Sequence, residues 1–208
     1  TCHYCDGKRL KLLCMYLTKT KNGSVIEVRG WWRRKLFING YPQTQQSYRS
    51  DWATILHRSG VDDLPHIGSA LVLGLGGGDL AHILDKVKPV WMTVFVELES
   101  DVVKVAEKYF GIGTTNKRKI VTTDAKKYME RNREMHDLVI VDLYNGDDVP
   151  MFVSSEKFIG GIAKAIKPRG KVIINYASHS FCKSDFAKFE QKLEKYFSVV
   201  KRLKTWGH

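Results

Sequence analysis

The stretch Ala70-Leu71-Val72-Leu73-Gly74-Leu75-Gly76-Gly77-Gly78-Asp79-Leu80-Ala81 decides the fold. A short apolar run enters a glycine cluster, and an acidic residue and an apolar helical pattern follow. That order reads as a buried strand, a tight turn and a helix start. The glycines let the backbone take positive φ and let a ligand lie against the main chain. The first helical turn offers free N–H groups to the polar end of a ligand. Taken alone, the stretch is also an ordinary strand-to-helix turn, and the rest of the chain decides between the two readings.

Downstream, strands and helices alternate. The first strand, Ala70–Leu73, is followed by a helix over Leu80–Val87 that Pro89 stops. A strand over Trp91–Val96 precedes a helix over Asp101–Tyr109, with Ser100 as its cap. Next come a strand over Lys119–Thr122 and a helix over Ala125–Arg131 capped by Asp124. A strand over Leu138–Val141 leads through a loop to a helix over Ser155–Ile166. The turn Pro168-Arg169-Gly170 opens a fifth strand, Lys171–Asn175. A helix over Asp185–Tyr196, capped by Ser184, precedes a last strand over Ser198–Arg202. This alternation predicts an α/β, doubly wound, mostly parallel sheet. Upstream, the texture is β. Leu10–Thr18, Val25–Arg29 and Leu36–Ile38 read as strands around the turn signals Lys21-Asn22-Gly23-Ser24 and Asn39-Gly40. Ser50-Asp51 reads as the cap of a helix running to about His57. The expected organisation is a small antiparallel β domain over 1–49, a helix and linker over 50–68, and the α/β domain over 69–208.

In such sheets ligands bind beyond the carboxyl ends of the strands. Here the first strand ends in Gly74, Gly76, Gly78 and Asp79, the second in Glu97 and Glu99, the third in Asp124-Ala125, and the fourth in Asp142-Leu143-Tyr144. A carboxylate after the second strand suits both hydroxyls of a ribose. Asp124 suits an exocyclic adenine amine, and Asp79 an ammonium group. Each acid alone is also a cap or a surface group. Together they describe a nucleoside with an amino acid end better than a dinucleotide, whose G-x-G-x-x-G spacing is broken at Asp79.

The chain of 208 residues is 43% hydrophobic and 11% aromatic, enough for one sizeable core and an appendage. No apolar run approaches the roughly 20 residues of a membrane span, and Thr1-Cys2-His3-Tyr4-Cys5 lacks the layout of a signal peptide, so a cytoplasmic protein is expected. Cys2-x-x-Cys5 has no second half to complete a zinc site, and no metal is expected. A net charge of +12 attracts anions and acidic surfaces. Its clusters, Arg33-Arg34-Lys35, Lys117-Arg118-Lys119 and Lys201-Arg202-Leu203-Lys204, accompany no nucleic-acid motif. They read first as solvated faces, with nucleic acid kept as an alternative partner.

The blocks Leu36-Phe37-Ile38-Asn39-Gly40-x-x-Gln43, Gly76-Gly77-Gly78-Asp79, Val96-Glu97-Leu98-Glu99, Thr123-Asp124-Ala125 and Val141-Asp142 resemble, in order and spacing, the spermidine synthase family of polyamine aminopropyltransferases. The resemblance implies the class I S-adenosylmethionine-dependent methyltransferase fold, which is Rossmann-like. It also implies that Gln43, Asp79, Glu97, Asp124 and Ala125 contact S-adenosylmethionine, its decarboxylated form or methylthioadenosine. Family members are often dimers or tetramers, so the resemblance implies a homo-oligomer, with a homodimer as one form. This fold usually closes with an antiparallel last strand, and the sequence stops at Thr205-Trp206-Gly207-His208, about where that strand would begin. Either the strand is missing or the chain is a piece of a longer one.

Two departures bear on function. The family's acidic pair and tyrosine for the polyamine stand here as Tyr48-Arg49 and Trp52, which replaces attraction of a polyamine by repulsion. The family's second catalytic-loop aspartate falls on Asn145, which is no base, with Asp147 or Asp148 as substitutes only if the loop is shifted. The sequence therefore favours a transferase using S-adenosylmethionine to methylate a small acceptor other than a polyamine. Asp142 and Tyr144 would orient the acceptor, Tyr48, Arg49 and Trp52 would shape its pocket, and Arg49 suits an anionic one. A divergent aminopropyltransferase and a non-catalytic binding protein are the alternatives.

Overall fold

The computed structural model describes residues 14–30, 33–44, 46–87, 90–146, 148–176 and 183–203, with the side chains of 46–50 among those left undescribed. Four short strands, β1 (Cys14–Lys19), β2 (Val25–Arg29), β3 (Lys35–Ile38) and β4 (Tyr41–Pro42), form an antiparallel meander. Helix α1 (Gln46–Arg58) leads into β5 (Ile67–Leu73), α2 (Asp79–Val87), β6 (Val90–Glu97), α3 (Ser100–Phe110), β7 (Arg118–Thr122), α4 (Ala125–Arg131), β8 (His136–Val141), α5 (Glu156–Ala165), β9 (Ile166–Ile174) and α6 (Lys183–Glu194). These five later strands make one parallel sheet in the order β7-β6-β5-β8-β9, so the order reverses beside β5.

The sheet forms because its central strands are apolar on both faces. Leu71 and Leu73 of β5 pack with Val139, Val141 and the α4 and α5 side on one face. Ala70 and Val72 pack with Leu138, Ile140 and the α1 and α2 side on the other. Continuous burial of this kind is what a parallel sheet covered by helices requires. The N-terminal meander docks on α3, where Ile26, Val28 and Leu36 meet Val102 and Val105.

The α/β class, the parallel sheet and the separate antiparallel unit stand as the sequence implies. Several elements differ from what the sequence implies. Helix α1 starts at Gln46, so Ser50-Asp51 lies inside it rather than capping it; the buried Trp52 and Leu56 hold the helix from its middle. Ser100 is the first residue of α3 and Glu99 precedes it, without a side-chain cap bond. The strand expected over Ser198–Arg202 is absent from the described residues. Val199 is 69% exposed and Arg202 is taken up by Glu190. Ile166 already pairs with His136 before Pro168-Arg169-Gly170 bulges out and pairing resumes at Lys171. Cys2, Cys5 and Asp147 lie outside the described residues, as do Leu10–Leu13 of the first expected strand. No described helix is long and apolar enough to cross a membrane.

Candidate functional site

The backbone ladder runs one residue past β5, β7, β8 and β9, and this sets the site. The N–H groups of Thr123, Gly74, Asp142 and Asn175 donate to Glu97 O, Val96 O, Leu73 O and Val141 O at 2.8–2.9 Å. The residue at each strand end is thereby held in register with its neighbour along one edge of the sheet. Gly74 takes φ 105°, and a Cβ there would collide with the Asp142 carbonyl, so only glycine brings β5 and β8 this close.

A cavity of about 880 Å³ opens over this edge. Its floor is made by the strand ends, its roof by Ile38, Asn39, Tyr41 and Gln43 of the meander, and one wall by Asp51, Trp52 and Ile55 of α1. Of the candidate residues, Gln43, Trp52, Gly74, Gly76, Asp79, Glu97, Asp124, Ala125, Asp142 and Tyr144 all line it. Gly78 does not; at φ 82° it faces Ile112, whose side chain leaves no room for a Cβ, so its part is in packing the turn. Tyr48 and Arg49 belong to α1, and their side chains lie outside the described residues.

The carboxylates differ in setting. Glu97 Oε2 accepts from Leu75 N at 3.1 Å and Oε1 from Glu99 N at 3.0 Å. Burial holds its carboxyl above the usual range, against the pull of the surrounding backbone N–H groups. Glu97 lines the cavity with these backbone bonds in place. Asp124 Oδ1 caps α4 by accepting from Lys127 N at 2.9 Å while the residue still lines the cavity, so capping does not remove it from that space. Asp142 is raised to about 6, first by burial and also by the charge of Asp79, against a hydrogen bond of 2.9 Å from Asn175 Nδ2. Asn145 sits at the mouth, its backbone bridged to Asp148, which is exposed and does not line the cavity.

Six carboxylates line this space: Asp51, Asp79, Glu97, Glu99, Asp124 and Asp142. Among the described residues no Lys, Arg or His does. The sequence reading missed Asp51, disguised as a helix cap, and the aromatic residues Phe152, Tyr176 and Phe186. It also missed Asn175, although its place after β9 is the same signal that singles out Asp142 after β8.

The Spermine/spermidine synthase domain matches residues 53–205 of the chain. Polyamine aminopropyltransferase 1 of Aquifex aeolicus is 26% identical over 172 residues, covering 80% of this chain and 61% of that protein. The crystal structure of spermidine synthase from Thermotoga maritima has a TM-score of 0.71 at 18% identity, covering 89% of this chain and 65% of that one. Human methyltransferase-like protein 13 in complex with SAH has a TM-score of 0.65 at 20% identity, covering 79% of each chain. At these identities the two structures speak to the fold, that of the class I methyltransferases. The chain spans less than two thirds of the length of the polyamine aminopropyltransferases it matches. The match over 53–205, carried on this fold and on this row of strand-end carboxylates, makes the chain a member of the spermine/spermidine synthase family.

Proposed function

We propose that the chain binds decarboxylated S-adenosylmethionine in this cavity and transfers its aminopropyl group to an amine. One observation carries the reading: a chain of net charge +12 surrounds a cavity with six carboxylates and no described basic side chain. A ligand there is favoured for each positive charge it brings and disfavoured for each negative one. The decarboxylated nucleoside has a sulfonium and an ammonium and no carboxylate, which fits; the intact form adds an anion near Asp79 and Asp142. In this reading Glu97 holds the ribose, Asp124 faces the adenine, and Asp79 with Gln43 takes the ammonium end.

The sulfonium supplies an activated carbon. The lone pair of an acceptor amine forms the new C–N bond there. The C–S bond breaks, its electron pair returns to sulfur, and neutral methylthioadenosine leaves. The attacking nitrogen must first lose its extra proton. Asp142, at about 6, is ionised at neutral pH and close enough to neutrality to take that proton. Tyr144, beside it in the cavity lining, orients the acceptor. Asn145, at the position of the family's base, cannot take this role.

A second reading, methyl transfer from intact S-adenosylmethionine, is favoured by Asn145 and by the N–H groups at the start of α2, which suit a carboxylate. Calorimetric titration with S-adenosylmethionine, its decarboxylated form and methylthioadenosine separates the two. Tightest binding by the decarboxylated form is expected. Tightest binding by the intact form moves the assignment to methyl transfer, and no binding by any of them overturns both.

A further inference from the structure

The two halves of the cavity are built from different material. Over β6 and β7 the lining is polar and acidic, with Glu97, Glu99, Asp124 and Asn22. Beside α1 and over β8 and β9 the polar strand ends Asp142 and Asn175 are joined by the aromatic Trp52, Phe152 and Phe186, and Asp51 is the carboxylate that α1 adds. The aromatic wall is held from behind. Phe186 meets Tyr176 edge-on at 5.5 Å and carries the Arg202 guanidinium over its ring at 4.4 Å. Arg202 is itself gripped by both oxygens of Glu190. Phe152 rests edge-on against Phe158 at 5.0 Å. Trp52 is 7% exposed and part of the main core. Asp51 and Ile55 line the cavity one helical turn apart, so that face of α1 presents a charge beside apolar surface.

We propose that this half receives an acceptor with one ammonium group, held by Asp51, and an apolar or aromatic body laid against Trp52, Phe152 and Phe186. The inference rests on the transferase reading above and narrows its acceptor to hydrophobic monoamines. An ammonium is stabilised by a carboxylate and by aromatic faces together, and an apolar body gains by leaving water against such a wall. A linear polycation brings a second charge to the same half. There it loses water without a further described carboxylate to meet it, because Asp51 and Asp142 both attend the single reacting nitrogen and Asp79 the nucleoside end.

The test uses the full chain, alone and saturated with methylthioadenosine. Binding of 2-phenylethylamine and of 1,4-diaminobutane is measured for the wild type, Asp51→Asn and Asp51→Glu. The expected result is at least tenfold tighter binding of 2-phenylethylamine than of the diamine. Asp51→Asn should lose at least tenfold of that affinity, Asp51→Glu should recover part of it, and methylthioadenosine affinity should stay within twofold throughout. Tighter binding of the diamine, or equal 2-phenylethylamine affinity in Asp51→Asn and the wild type, overturns the inference. The nucleoside titration reads separately. Methylthioadenosine binding without the amine preference sinks only the acceptor inference, whereas the amine preference without methylthioadenosine binding supports the acceptor site and sinks the nucleoside reading.

Discussion

Asp142 carries a charge that its surroundings oppose. Burial and the neighbouring Asp79 raise it from the usual 3.8 to about 6, and the bond from Asn175 offsets only part of this. A carboxyl raised in the folded state binds its proton more tightly there than in the unfolded chain. Its contribution to stability is therefore fully present below about pH 4 and is lost as pH rises through about 6. At 1.36 kcal/mol per unit the loss is about 3 kcal/mol by neutral pH. Asp142→Asn keeps the shape and can still accept from Asn175. In the absence of ligand it should melt higher than the wild type at pH 7.5, with the difference shrinking toward pH 4.5. A cationic nucleoside should reverse the ranking, because the carboxylate that destabilises the empty protein attracts the ligand. Melting curves across that pH range, with and without decarboxylated S-adenosylmethionine, check both parts. A difference that does not vary with pH would remove Asp142 from the titrating role given to it.

Elements, more than residues, show how far the sequence could be read. Gly74 to Asp79, Glu97, Asp124 and Asp142 were legible because each follows an apolar run, and the backbone ladder then has no choice about where to place it. Helix α1 was less legible. Its first turn, Gln46 to Arg49, has no apolar periodicity, and Ser50-Asp51 imitates a start signal; the helix extends because Trp52 and Leu56 are buried against α2 and the sheet. The alternation of Ser198–Arg202 imitates a strand, but no described partner pairs with it, and Arg202 goes to Glu190 and Phe186 instead. The contact between the meander and the glycine turn was also invisible locally. A Cβ on Gly77 would overlap the Thr44 methyl group, and Thr44 is 2% exposed, its hydroxyl accepting from Leu36 N at 3.0 Å. Gly77→Ala should therefore push the meander off the turn, costing about 1–3 kcal/mol as overpacking does, and weaken methylthioadenosine binding by shifting Gln43. Thr44→Ser removes the obstructing methyl and keeps the hydroxyl, so the double variant should recover most of both losses. Urea unfolding and calorimetry of the two single variants and the double complete the cycle, and a double variant no better than Gly77→Ala refutes the contact's role.

For the whole molecule, the charges outside and inside the cavity oppose each other. The chain has a net charge of +12, while the described cavity lining is anionic. A chain of this length folds to a radius of gyration of roughly 17 Å. At 10 mM salt the screening length is about 30 Å, longer than the radius of the molecule, so an approaching dication feels most of the positive surface. At 150 mM it is about 8 Å, and what remains effective near the mouth is the group of carboxylates. Salt thus weakens the repulsion before it weakens the attraction. The association rate of decarboxylated S-adenosylmethionine should rise several-fold between 10 and 150 mM salt, opposite to the fall seen when net charge steers a ligand inward. Methylthioadenosine, which carries no charge, is the control and should associate at a nearly constant rate. Stopped-flow intrinsic tryptophan fluorescence, to which the cavity-lining Trp52 contributes, measures both. A rate for the dication that falls with salt would mean that the basic surface does not govern its approach.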